Sequence, residues 1–429
     1  MRPSALFPIF TTSKTQPGLT FLFTISHFSK KKNLMTIRSG KIAFSEYIPA
    51  RMIHMNSTPG KKKPMSPALK RFAALSVIPC LALSGCVSDK AEPAPPPAPE
   101  SSPAPETCVP VQPETGLHPQ AAEFLRRQPA ELAARQMEAI REARNGNPAA
   151  LAPWRLTEEP LLPEGVKILN LEYESEAGPR ALRLFLPESA AETPRAAVLY
   201  LHGGGWVLGS IQRCSSFCAE LALKTGAAVA APDYRLAPEA PWPAALDDVL
   251  AAYNYLTTNA DDYNIDPDRL VLAGDSAGGQ LAATAALKEF ETTEEKPAGL
   301  ILFYPVVTLE PDSRESWKRC GKGFNLDADL MEEFNAAYVP DPAQRKEPLV
   351  SPLNAAPESF PPVLLVTAEY DILRDQATDF AAGLRKAGVP VRVRRYRGAV
   401  HGFITFPGLE IFFRQGVEDA ASFLDGLGR

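Results

Sequence analysis

Leu270-Val271-Leu272-Ala273-Gly274-Asp275-Ser276-Ala277-Gly278-Gly279 is the stretch on which the fold turns. Four apolar residues of strand length run into a glycine-bounded serine, and an alanine-rich segment to about residue 290 then reads as a helix. A strand that turns sharply into a helix leaves no room for side chains on either side of the turn residue. Flanking glycines meet that demand and lift the Ser276 hydroxyl above the sheet. As a bare pattern, Gly-x-Ser-x-Gly arises by chance in roughly one chain of this length in seven, so the strand and helix around it carry the weight.

Working outward, apolar runs of strand length alternate with helical patterns. Val166–Glu174 and Ala181–Leu186 read as an opening strand pair, followed by Ala196–Leu201, Ala227–Ala231, Leu270–Ala273, Leu300–Tyr304, Val363–Ala368 and Val391–Tyr396. Helical stretches are expected near 211–225, 243–258, 276–290, 374–387 and 411–426. Strands that are apolar throughout and separated by helices predict an α/β fold, an eight-stranded, mostly parallel sheet covered on both faces. Chemistry in such a sheet belongs at the carboxyl ends of the strands.

Two further strand ends carry candidate residues. His202-Gly203-Gly204-Gly205-Trp206 follows the Ala196–Leu201 strand. The N–H groups of Gly203, Gly204 and Gly205, with that of Ala277 after the serine, are candidate donors to a developing oxyanion. Asp371 lies just past the Val363–Ala368 strand, and His401 follows the last strand. A serine hydroxyl needs an adjacent base, and the base needs an acid to hold its tautomer. Only five histidines exist: His27 and His54 in the N-terminal head, His118 bordering the proline-rich linker, His202 in the glycine motif, and His401. His401 is the base candidate, and the chain order Ser276, Asp371, His401 is that of α/β-hydrolase triads. Asp275 and Trp206 are candidates for touching substrate, although Trp206 can equally pack beneath a cap.

These motifs resemble those of the bacterial hormone-sensitive-lipase-like carboxylesterases. The matching residues are His202-Gly-Gly-Gly-Trp206, Asp233-Tyr-Arg-Leu-Ala-Pro-Glu239, Gly274-Asp-Ser-Ala-Gly-Gly279, Asp371-Ile-Leu-Arg-Asp375 and His401-Gly-Phe403, over residues 118–429. The resemblance implies an α/β-hydrolase fold with Ser276 as nucleophile, His401 as base and Asp371 as orienting acid. It names Gly204, Gly205 and Ala277 as oxyanion donors, and a helical cap from about 118–145 and 308–358. It favours Asp371 over Asp375 as the acid, and short to medium acyl groups as substrates. Asp233, Arg235 and Glu239 are expected to tie a loop beneath the site. Gln376 departs from the acidic residue usual after Asp375.

Charge and proline divide the rest of the chain. The 45 basic and 50 acidic residues give −5 overall, but residues 1–85 hold thirteen basic side chains and one acidic one, Glu46. The remaining 32 basic and 49 acidic side chains balance at −17. A body that acidic argues against a nucleic-acid partner. Met65 opens a short basic segment, an apolar run from Phe72 to Leu83, then Leu83-Ser84-Gly85-Cys86. This reads as a secretory signal over 65–85, too short to span a bilayer. Its end resembles a bacterial lipobox, which implies lipidation at Cys86 and export to the periplasmic face of an outer membrane or the cell surface. Residues 1–64 show no periodicity that predicts folding and are read as an upstream start-site extension. Nine prolines between Pro93 and Pro113 mark 86–117 as an extended linker.

No metal or cofactor is expected: Cys214 and Cys218, four apart on a helix, lack a second pair of ligands. The expectation is a membrane-tethered serine carboxylesterase acting on a small-molecule ester. Acetyl-ester, lactone or amide hydrolysis by the same triad, and a non-catalytic ligand-binding role, stay open.

Overall fold

The computed structural model describes residues 20–21, 33–38, 41–46, 116–155, 158–189 and 191–428. The chain divides into two compact units, Met1–Pro99 and Glu100–Arg429. In the first, strands Thr20–Phe21, Asn33–Arg38 and Lys41–Glu46 form an antiparallel sheet in that order. These strands lie in the segment whose sequence shows no periodicity that predicts folding. Arg38 pairs with Lys41, and the intervening sequence, Ser-Gly, is of the kind that favours tight turns. The predicted signal, most of the linker and Cys86 lie outside the described residues.

The second unit carries the eight-stranded sheet. Its strands are β1 (Val166–Ser175), β2 (Gly178–Pro187), β3 (Arg195–Leu201), β4 (Ala228–Pro232), β5 (Ile265–Asp275), β6 (Gly299–Phe303), β7 (Val363–Tyr370) and β8 (Val391–Val400). Their order across the sheet is β8-β7-β6-β5-β3-β4-β2-β1. β2 runs antiparallel to both its neighbours, and β3 through β8 are parallel. Alternation explains why the central strands are apolar throughout. Ala197, Leu199 and Leu201 of β3 enter one core cluster with Leu270 and Leu272 of β5. Val198 and Tyr200 enter the opposite cluster with Val271 and Ala273.

The helices are α1 (Pro119–Arg127), α2 (Leu132–Arg144), α3 (Ala152–Arg155), α4 (Ile211–Thr225), α5 (Ala244–Thr258), α6 (Ala277–Thr293), α7 (Glu315–Cys320), α8 (Ala328–Tyr338), α9 (Arg374–Lys386) and α10 (Glu410–Leu427). Apolar residues of α5, α6 and α9 fill the first cluster, those of α4 and α10 the second. α4 ends where Gly226 adopts the left-handed conformation that terminates helices (φ 72°).

The cap departs from its expected bounds. α2 lies against α8, joined by Arg141 and Arg144 to Glu333 at 2.7 and 3.0 Å. α1 docks instead on the sheet unit: the His118 N–H donates to Gly398 O at 3.0 Å, and Gln120 accepts from the Ile411 N–H. The cap continues past residue 145, because α3 supplies Trp154 to the cleft and Arg155 to a half-buried loop junction. Arg155 donates to Val207 O, Ala237 O and Glu239, which fixes its segment beside the glycine loop. Among the described residues no helix is long and apolar enough to cross a membrane.

Candidate active site

β5 ends at Asp275 and α6 begins at Ala277, so Ser276 occupies the turn alone, with φ 55° and ψ −118°. Such a backbone is costly outside glycine and persists where its surroundings enforce it. Here the Ser276 N–H donates to Phe303 O, and Ser276 O accepts from the N–H groups of Val306 and Gln280. A Cβ at Gly278 would collide with Leu201 O, so only glycine lets α6 pass this close to β3.

From this turn a hydrogen-bond chain crosses three strand ends. Ser276 Oγ lies 2.9 Å from His401 Nε2, and His401 Nδ1 lies 2.7 Å from Asp371 Oδ2. With its proton on Nδ1 facing Asp371, the imidazole offers Nε2 to the serine hydroxyl. Asp371 Oδ1 accepts from the Leu373 N–H at 2.9 Å, which fixes the carboxylate. Asp375 points elsewhere: its oxygens accept from the Ser316 N–H and Arg374 Nε and so tie α7 to α9. Ser276, Asp371 and His401 are 7 %, 1 % and 7 % exposed.

The glycine loop is held from below. Gly203 N–H, a candidate oxyanion donor by sequence, donates to Asp275 Oδ1 at 2.9 Å and is taken out of that role. Asp275 is thereby a support for the loop rather than a pure substrate contact: Tyr200 Oη donates to the same oxygen at 3.0 Å, and Tyr304 Oη lies 3.4 Å from Oδ2. Burial raises the Asp275 carboxyl to about 6, against the lowering effect of the Tyr200 and Gly203 hydrogen bonds. The N–H groups of Gly204 and Gly205 donate to no described residue. That of Ala277 lies in the first turn of α6, where amides lack intrahelical acceptors. These three remain available to an oxyanion.

His202 supports the same loop and is not a base. Its ring stacks on Tyr234 at 4.4 Å, Nδ1 meets Gly203 O at 2.9 Å, and burial lowers it to about 4. Trp206 does not line the cleft. It is fully buried, stacked on Tyr338 at 4.4 Å with Nε1 donating to Gln280, because the turn after Gly205 sends the indole beneath α8. Arg235 binds Asp248 through Nε and Nη2, with its own N–H also donating to that carboxylate. Gln376, the departure from the family pattern, accepts from the Val307 and Thr308 N–H groups and so anchors the segment entering the cap.

Sequence reading missed two residues that position the histidine. Asn325, in the cap segment, donates through Nδ2 to His401 O at 2.9 Å. Glu369, buried on β7, accepts from the Gly398 N–H at 2.6 Å and fixes the end of β8. A left-handed-tolerant asparagine in Gly323-Phe324-Asn325 was the one available signal for the first (φ 77°); the second reads as an ordinary strand residue. A cleft of about 830 Å³, counted to its open mouth, lies over the serine. Leu208, Leu330, Met331, Phe334 and Phe406 wall it, with Gly204, Gly205, Ser276 and His401 at its floor. Among the described residues no cluster of three or more His, Cys, Asp or Glu could hold a metal ion.

The profile of the alpha/beta hydrolase fold matches residues 198–405. The chain is 36% identical over 240 residues to lipase 2 of Moraxella sp. strain TA144, a match covering 49% of this chain and 55% of that protein. It is 38% identical over 220 residues to an ethyl acetate hydrolase of Pseudomonas putida, covering 51% and 69% of the two chains. The solved structure of a hyperthermophilic esterase from the archaeon Pyrobaculum calidifontis superposes with a TM-score of 0.63 at 31% identity, over 73% of this chain and 99% of that one. With the motifs in family order on the same sheet, the chain belongs to the α/β-hydrolase fold family of carboxylic ester hydrolases.

Proposed function

We propose that the protein hydrolyses short- to medium-chain acyl esters through a Ser276–His401–Asp371 triad and an acyl-enzyme. The observation that carries this reading is the unbroken hydrogen-bond chain from Ser276 Oγ through His401 to Asp371. His401 Nε2 takes the Ser276 proton as Oγ bonds to the ester carbonyl carbon, and Asp371 stabilises the imidazolium. The carbonyl oxygen, now carrying the electron pair, is held by the N–H groups of Gly204, Gly205 and Ala277. As the intermediate collapses, the carbon–oxygen bond to the alcohol breaks and His401 returns the proton to the leaving alkoxide. Water then repeats the sequence on the acyl-enzyme, releasing the acid and restoring Ser276.

The confined, apolar cleft supports acyl groups of modest length, and a chain-length series of aryl esters tests that. Against a short-chain aryl ester, Ser276→Ala is expected to lower kcat by about 10⁶. Undiminished turnover in that variant would remove the assignment. We also place the enzyme at a membrane through lipidated Cys86, the periplasmic face of an outer membrane or the cell surface being its site. The lipobox-like Leu83-Ser84-Gly85-Cys86 supports this. Cys86→Ser moves the protein to the soluble fraction on this reading; an unchanged membrane fraction contradicts it.

A further inference from the structure

Arg213, in the first turn of α4, lines the cleft with Ser276 and His401. Among the described residues that line the cleft, it is the only basic side chain apart from the triad histidine. No hydrogen bond or ion pair joins its guanidinium to any described residue, and Nε is buried without an acceptor. Its contact is the ring of Phe406, whose centroid lies 5.0 Å from Cζ, a cation–π arrangement that holds the side chain at the wall.

Two other arginines of this domain behave differently. Arg155 meets two carbonyls and Glu239, and Arg235 is bidentate on Asp248. Asp275, the other charged group in the same wall, already accepts from Gly203 N–H and Tyr200, and Tyr304 faces its second oxygen. It stands beyond ion-pair distance from Arg213, and burial lowers the guanidinium from its ordinary value. A cation drawn out of water without a partner is unfavourable, and a planar guanidinium matches a carboxylate better than any neutral acceptor.

Building on the esterase reading, we propose that Arg213 is a specificity residue that binds a carboxylate carried by the substrate itself. The preferred substrates are then esters bearing a free acid a few bonds from the scissile carbonyl. The acid can lie on the acyl side, as in a dicarboxylic half-ester, or on the alcohol side, as in an acylated hydroxy acid. In both, the carboxylate replaces the acceptor that the fold withholds from Arg213.

The test compares kcat/KM for matched charged and neutral esters at pH 7.5: methyl hydrogen glutarate against methyl glutaramate, and 4-acetoxybutyrate against 4-acetoxybutyramide. The wild type is expected to favour the acid in at least one pair by about tenfold, and the pair that shows it identifies the side. Arg213→Gln should lower that charged-to-neutral ratio by about tenfold, mainly through KM. A wild-type ratio at or below one in both pairs overturns the proposal even if the variant fails to fold, as does a ratio that Arg213→Gln leaves unchanged. Labelling of each protein with a fluorophosphonate separates the two levels. Labelled, ester-hydrolysing protein without acid preference sinks the Arg213 proposal alone, whereas unlabelled, inactive wild type sinks the esterase reading beneath it.

Discussion

At the floor of the cleft, Ser276 and Asp371 each lie one residue beyond the end of a strand, β5 and β7, and His401 one residue beyond β8. The roof is built otherwise: α2 and α8 meet through Arg141, Arg144 and Glu333, pairs separated by 192 and 189 residues. A floor residue is placed by its own strand and the turn after it, so a local motif predicts it. A roof residue is placed by a partner far along the chain. The floor therefore tolerates little substitution, while the roof is held by partly exposed ion pairs that water and salt weaken.

Breaking the floor gives the largest effect. Asp371→Asn keeps the shape but loses the carboxylate that selects the His401 tautomer, and kcat is expected to fall about 10⁴-fold. Asp375→Asn, four residues on, removes contacts to Ser316 and Arg374 and should act on stability instead. Steady-state kinetics of the two variants distinguishes them; equal losses of kcat would mean that the acid had been misassigned.

Beneath the floor, the buried Asp275 makes a pH-dependent prediction. Its folded value of about 6 lies above the ordinary 3.8, so the native state binds the proton more tightly than the unfolded chain. Ionising it costs folding free energy: stability falls as pH rises from about 4 to 6, by about 3 kcal/mol in all, and levels off above. Asp275→Asn does not titrate, so its Tm relative to wild type should climb through that window and then stay flat. A Tm difference independent of pH would contradict the raised value.

The roof gives the smallest effect. Glu333→Gln removes both ion pairs that join α2 to α8, yet Arg141 and Arg144 are 52% and 37% exposed in their side chains. Tm is expected to fall by about 1 °C or less, with KM rising modestly and kcat preserved. A kcat loss approaching that of Asp371→Asn would show that the roof controls the floor.

The same contrast explains what the sequence made legible. Strand positions were readable because burial on both faces leaves continuous apolar runs, and Val363, Leu364, Leu365 and Val366 of β7 fill both core clusters. Trp206 was ambiguous because a glycine-flanked indole can turn toward the cleft or under α8, and only Gln280 and Tyr338 decide. Gly203 was a donor candidate by the glycine pattern alone, the resemblance naming only Gly204 and Gly205 of the three, and Asp275, 72 residues on, takes its N–H. Asn325 and Asp248 were invisible for the same reason: their partners, His401 O and Arg235, lie far off or carry no local pattern. The cap bound near 145 came from the family resemblance and not from the residues themselves; α3 and Arg155 follow it, and Arg155 is placed by Val207 O, 52 residues on.

The central claim is that one serine, raised at the β5–α6 turn and activated by His401, carries the chemistry. Incubation with a fluorophosphonate followed by intact mass and peptide mapping tests it most directly. The account predicts a single adduct per chain on Ser276, absent in Ser276→Ala and strongly slowed in His401→Ala. Ester hydrolysis by protein that takes no adduct, or takes it at another residue, would contradict it.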